Sequence, residues 1–201
     1  MEPSNFRDLQ KLWQREPLIM AKSLWPSVNF YDVQRDIIHS VRDVPETVVP
    51  AGNMLGKDFL AGFVCLWYFI AFEEVRIITT SVKDDHLRVL WGEIENFINT
   101  STIPLNEENG GLLRVNHHDI RKVYGTPTDI SKSYLRGMVS SKGEGMAGHH
   151  AKHTLMIIDE ASGVDNEVYT QGDTWAKKKL IIGNPNPCNN FFFEAVMGGS
   201  M

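Results

Sequence analysis

Two runs late in the chain, Leu155-Met156-Ile157-Ile158 and Leu180-Ile181-Ile182, are apolar at every position. A strand with one wet face alternates apolar and polar residues. An unbroken run needs burial on both faces, the condition of a central strand in a parallel sheet covered by helices. Shorter runs, Thr47-Val48-Val49, Val75-Arg76-Ile77-Ile78-Thr79-Thr80 and Leu112-Leu113-Arg114-Val115, also read as strands. Residues 58–72 read as a buried helix. Residues 84–99 read as an amphipathic one, with Leu87, Leu90, Trp91, Ile94 and Ile98 at helical spacing. The first 44 residues are polar-amphipathic and helical, broken at Pro17 and Pro26. Residues 136–153, rich in Gly, Ser and His, read as a loop. The alternation predicts an α/β fold: a mainly parallel central sheet flanked by helices, with residues 1–44 as a helical segment packed on a core of residues 45–201.

Composition closes off several classes. No apolar run reaches the ~18–20 residues of a membrane span, so no membrane partner is expected. The opening Met1-Glu2-Pro3-Ser4-Asn5 has no signal-peptide pattern. Cys65 and Cys188 are the only cysteines, which excludes a disulfide framework and a four-cysteine zinc site and fits a reducing compartment. A net charge of -5 argues against a chain coated in nucleic-acid-binding surface, but leaves room for a local basic patch.

Chemistry concentrates where strands end. Ala51-Gly52-Asn53-Met54-Leu55-Gly56-Lys57-Asp58 follows a strand and opens a helix. In a phosphate-binding P-loop, small residues let backbone N–H groups close on phosphates and the lysine reaches the outer oxygens. Ala51 stands where such a loop usually has glycine, and Asp58 where it has a hydroxyl for Mg²⁺; a carboxylate can also ligate Mg²⁺. The plain alternative is a strand-to-helix turn with a surface lysine. Asp159-Glu160 ends the apolar run 155–158, at the sheet edge where ligands of open α/β sheets bind. There Asp159 would hold Mg²⁺ and Glu160 would deprotonate a water; the alternative is a pair of solvated acids. Gly183-Asn184-Pro185 ends the next run, and Asn184 could sense the γ-phosphate.

Taken together, a lysine P-loop, a strand ending Asp159-Glu160-Ala161-Ser162-Gly163 and a later strand ending Gly183-Asn184-Pro185 resemble phage terminase large subunits. Further similarity lies in Ile77-Ile78-Thr79-Thr80-Ser81 with the helix after it, in Tyr31-Asp32-Val33-Gln34-Arg35-Asp36, and in the glycine loop Gly145-Met146-Ala147-Gly148-His149-His150-Ala151. The resemblance spans about residues 28–195, and its strength is the order of elements.

It implies a P-loop NTPase fold of the ASCE type and hydrolysis of Mg²⁺-ATP to drive double-stranded DNA into a procapsid in the host cytoplasm. A portal protein, a small terminase subunit and a ring-shaped homo-oligomer are the implied partners. Residue by residue it implies phosphate binding by Gly52, Asn53, Met54, Leu55, Gly56, Lys57 and Asp58, and adenine reading by Gln34. It also implies Mg²⁺ on Asp159 and Asp58, catalytic base work by Glu160 and coupling by Asn184. The family's charge-neutralising arginine has no counterpart, since Asn53 and Ala147 occupy its usual places; Arg88 and Arg136 are the candidates to replace it. The apolar end at 191–201 suggests a fragment cut before a nuclease domain, so no DNA cleavage is expected of this chain.

Two other readings stay open: a helicase-like ATPase, and a degenerate nucleotide-binding module. His117, His118, His149, His150 and His153 read as solvated loop residues rather than metal ligands. Lys177-Lys178-Lys179 reads as a solvated edge, and is one place DNA phosphates could be met.

Overall fold

The computed structural model describes residues 3–52, 56–139, 145–185 and 188–198. Three helices come first: α1 (Pro3–Arg15), α2 (Pro17–Leu24) and α3 (Asp32–Asp43). Pro17 sits at the first position of α2, where its missing N–H costs nothing and its ring ends α1. Strand β1 (Glu46–Pro50) leads to α4 (Lys57–Ala71), β2 (Val75–Ser81) and α5 (Asp84–Thr100). Next come β3 (Leu113–Asn116), β4 (Asp119–Lys122), α6 (Pro127–Lys132) and β5 (Tyr134–Val139). The chain continues through β6 (His153–Ile158), α7 (Asn166–Asp173), β7 (Lys178–Gly183) and α8 (Phe191–Gly198).

The strands form one seven-stranded sheet in the order β1-β7-β6-β2-β5-β4-β3. The first five are parallel, and β4 and β3 join antiparallel at the edge. Each face carries its own core. On one side Ile77, Leu155, Ile157, Leu180 and Ile182 pack under α1–α5. On the other, Ile78, Met156, Ile158 and Ile181 pack against α7, α8, Met146 and Trp175. The two apolar runs are thus buried on both sides, as their composition requires.

Helix α4 is apolar all round because it is covered all round; every residue from Leu60 to Ala71 is buried. Its last carbonyls are met by α1: Gln10 Nε2 donates to Ile70 O at 2.8 Å and Gln14 Nε2 to Ala71 O at 2.7 Å. The N-terminal helices therefore share the core of the sheet rather than forming one of their own.

Four expectations need correction. Residues 136–139 belong to β5 rather than to a loop, because Leu135 and its neighbours pair in parallel with β2. The apolar end is partly covered already: Phe191 and Phe192 are buried, while Phe193 and Met197 are exposed. His149 is buried, its Nδ1 2.5 Å from the Tyr134 hydroxyl, and His153 opens β6 against the Phe72 ring, so neither is a solvated loop residue. The lysine run is not a solvated edge. Lys179 is buried between Glu46 and Asp173, Lys178 donates to the carbonyls of Arg42 and Val44, and Lys177 donates to Lys152 O.

Candidate active site

Three strand ends converge at one edge of the sheet. Beyond β1, Ala51 N donates to Gly183 O at 2.9 Å, which ties the start of the P-loop segment to the exit of β7. The chain enters α4 through Gly56 in the left-handed conformation, φ +60°. A Cβ there would stand 3.3 Å from Gln34 Nε2, so any larger residue would be strained in its backbone and would press on Gln34. Lys57 is the first residue of α4, and its side chain is buried. Its Nζ lies 3.8 Å from Asp159 Oδ1 and makes a close ion pair with Glu160 Oε1. Asp159 follows β6 directly, its amide donating to Thr80 O at 2.9 Å. Glu160 is also left-handed, with φ 50° and ψ 45°. A non-glycine residue holds that conformation at a cost of order 1 kcal/mol or more, a strain usually found at functional sites.

The cluster is overcharged with acid. Burial alone would lower the Lys57 ammonium. The hydrogen bond to Glu160 and the charges of Asp159, Glu160 and Asp58 outweigh it and hold its pKa above the ordinary value. Burial, reinforced by the Asp58 and Glu160 charges against the pull of Lys57, pushes the Asp159 carboxyl up to about 6. Burial also raises Asp58, in the first turn of α4, with repulsion from Glu160 adding to it and Lys57 and His86 opposing it. Three carboxylates around one ammonium leave an excess of negative charge that a proton or a further cation would relieve. At the end of β2, the hydroxyls of Thr80 and Ser81 are buried and carry no hydrogen-bond partner among the described residues. The β2–β6 register pairs Thr80 with Ile158, so one step further Ser81 stands beside Asp159. Excess carboxylate, orphaned hydroxyls and a helix N-terminus fit an anion together with a divalent cation.

No protein-family profile matches the chain. In sequence it is 24% identical over 200 residues to the probable large terminase subunit of Enterobacteria phage P7. That match takes in 94% of the chain but 39% of the relative, so the chain spans about two fifths of that protein's length. In structure it matches the large-terminase ATPase domain of Thermus phage P74-26, with a TM-score of 0.62 and 18% identity over 84% of this chain and 69% of that one. The HK97 bacteriophage large terminase matches with a TM-score of 0.56 and 15% identity, over 78% of this chain and 33% of that one. This is the fold of a phage large-terminase ATPase domain.

Within that fold, Gly52, Gly56, Lys57, Asp58, Asp159 and Glu160 lie at one edge of the sheet. Asn53, Met54 and Leu55 lie outside the described residues. Gln34 is buried beside Gly56, and its Oε1 accepts a hydrogen bond from Tyr31 N at 3.1 Å, capping α3. Asn184 leaves β7 next to the start of the P-loop segment. Neither candidate arginine joins the cluster. Arg88 is exposed and pairs with Asp84 one turn away at 2.7 Å, and Arg136 is held by Asp119 at 2.8 Å. Among the described residues no arginine pairs with Asp58, Asp159 or Glu160. Ser81 and His86 escaped the sequence reading, since a serine at a strand end and a histidine in a helix's first turn carry no signal alone. A concavity of about 950 Å³, lined by Phe6, Gln10, Leu112 and Tyr124 among others, lies elsewhere, between α1 and the residues preceding β3.

Proposed function

We propose that the chain binds and hydrolyses ATP, and that as part of a viral DNA-packaging motor it couples hydrolysis to moving double-stranded DNA into a procapsid. The observation that carries this reading is the meeting of Lys57 with Asp159 and with Glu160, the latter 103 residues away in sequence. In the proposed site the α4 N-terminus and Lys57 hold the outer phosphates. Asp159 and Asp58 hold Mg²⁺, which neutralises charge on the phosphates when bound. With a triphosphate present, Lys57 exchanges its Glu160 partner for phosphate oxygens. Glu160 is then left to orient and deprotonate the attacking water. Gln34, anchored beside Gly56, contacts adenine, and Asn184 relays the loss of the γ-phosphate to β7. The charge-neutralising arginine comes from outside this cluster, as a neighbouring copy in a ring would supply it. A portal protein and a small terminase subunit are the proposed partners, in the host cytoplasm. DNA cleavage is not assigned to this chain.

The test is turnover with and without duplex DNA. Glu160→Gln should keep nucleotide binding and lose hydrolysis by 100-fold or more, on the order of a lost catalytic base. Equal turnover in both proteins sinks the assignment. Asp58 favours a second reading, a nucleotide-binding module without hydrolysis, because its half-buried carboxylate adds repulsion beside the phosphates. ATP binding with no turnover by the unaltered protein, even with DNA and partners, would establish that reading instead.

A further inference from the structure

The sheet's far edge carries a row of cations that no motif announces. Across four adjacent strands the register aligns Arg76 of β2 with Tyr134 of β5, Tyr134 with Arg121 of β4, and Arg121 with Arg114 of β3. Partners directly across strands share a face. Their in-strand neighbours Ile77, Leu135, Ile120 and Leu113 all point into the α1–α5 core, so the row lies on the opposite face. Arg136 lies two residues beyond Tyr134 on that same face.

Three of the arginines are ordered by one aromatic ring, and their carboxylate partners answer only part of the row's charge. The guanidinium carbons of Arg76, Arg121 and Arg136 sit 5.1, 5.0 and 5.1 Å from the centre of the Tyr134 ring. The ring is itself anchored by its hydroxyl on His149 Nδ1, whose Nε2 lies 2.9 Å from Gly145 O. Among the described residues, only two carboxylates answer the four arginines. Asp119 is shared by Arg121 and Arg136, and Glu107 pairs with Arg114. Arg76 donates to the Lys132 carbonyl instead. Two positive charges are left over among these groups, in a chain whose net charge is -5.

We propose that this face is where the chain meets the phosphate backbone of duplex DNA. The proposal rests on the motor reading above and names the surface that reading leaves open. Three strand spacings make the row about 14 Å long, over which a duplex presents roughly eight phosphate charges. A flat row of guanidinium forks with two charges in excess of its carboxylates matches that regular line of anions, and the Tyr134 ring keeps three of the forks fixed. The acids of a protein partner would have to be placed one by one. The row crosses β2 and β5 near their first residues, at the end of the parallel strands away from Lys57, so DNA binding and phosphate chemistry are separable by substitution.

The test is the salt dependence of binding to a fluorescent duplex of about 30 base pairs. Arg76→Gln combined with Arg114→Gln should flatten the log–log salt slope by about 2, close to one unit for each phosphate no longer neutralised. Arg76→Lys with Arg114→Lys should keep the slope, and DNA-free ATP turnover should be unchanged in both. If the glutamine pair does not fold, Arg114→Gln alone, at the exposed end of the row, should flatten the slope by about 1. An unchanged slope in a folded glutamine variant overturns the proposal. So does an unchanged slope with loss of self-association in sedimentation, which would assign the face to a second copy. If the unaltered protein binds no duplex at any salt, the motor reading fails with it, an outcome distinct from binding that ignores these arginines.

Discussion

Asp159 shows how a site can oppose the stability of its own fold. Its carboxyl is buried and repelled by Asp58, and Lys57 at 3.8 Å offsets this only in part. A raised carboxylate pKa means the charged form destabilises the ligand-free fold at neutral pH. Asp159→Asn should therefore stabilise the ligand-free protein by up to about 3 kcal/mol, from a shift of roughly two units, while hydrolysis is lost. Urea unfolding without nucleotide or metal measures this, and a loss of stability would contradict the electrostatic account. His153 carries the opposite sign. Burial, with the Lys152 and Lys177 charges adding, lowers it to about 4 from 6.5. The folded state holds the ring neutral, so its contribution is complete above pH 6.5 and is lost as the pH falls toward 4. His153→Gln should narrow the gap between urea midpoints at pH 7 and pH 5; an unchanged gap places the acid sensitivity elsewhere.

Among the elements, α4 links the site to the rest of the fold. Its first turn carries Lys57 and Asp58, and its last turn is capped by Gln10 and Gln14 of α1. The β2 start is fixed separately by a buried ion pair. Lys122 Nζ donates to Asp129 at 3.1 Å and to Phe72 O at 2.5 Å, while Asp129 also accepts from Glu74 N and the Ser133 hydroxyl at 2.6 Å. Both side chains are almost fully buried. Removing one partner strands the other charge, so Asp129→Asn should cost roughly 3–5 kcal/mol, read from urea unfolding. A cost below about 1 kcal/mol would show that water reaches Lys122. Little of this was legible beforehand. In Asp119-Ile120-Arg121-Lys122 a single apolar residue gives no period to read, and Lys122 is buried only because β4 lies beneath the end of α4.

For the molecule as a whole, ligand binding should show as stability. If Lys57 grips phosphate, Mg²⁺-ATP at 100 times its Kd should add about 2.7 kcal/mol and raise the Tm by roughly 5–10 °C. Lys57→Ala should abolish the shift; an equal shift in that variant would move the nucleotide away from α4. Local pattern alone revealed the α/β class, the buried strands and the polar strand ends, because short unbroken apolar runs bounded by polar turns suit strands buried on both faces. It also singled out Lys57, Asp159 and Glu160 as candidates, which the structure brings together at one sheet edge. Tertiary structure alone decided which ends meet, that Gln34 is buried against Gly56, and that the lysine run is spent on neighbouring carbonyls and acids. It alone assembled Arg76, Tyr134, Arg121 and Arg114 into a row. Pairing between strands joins residues by register rather than by distance along the chain, and nothing local in a sequence records register.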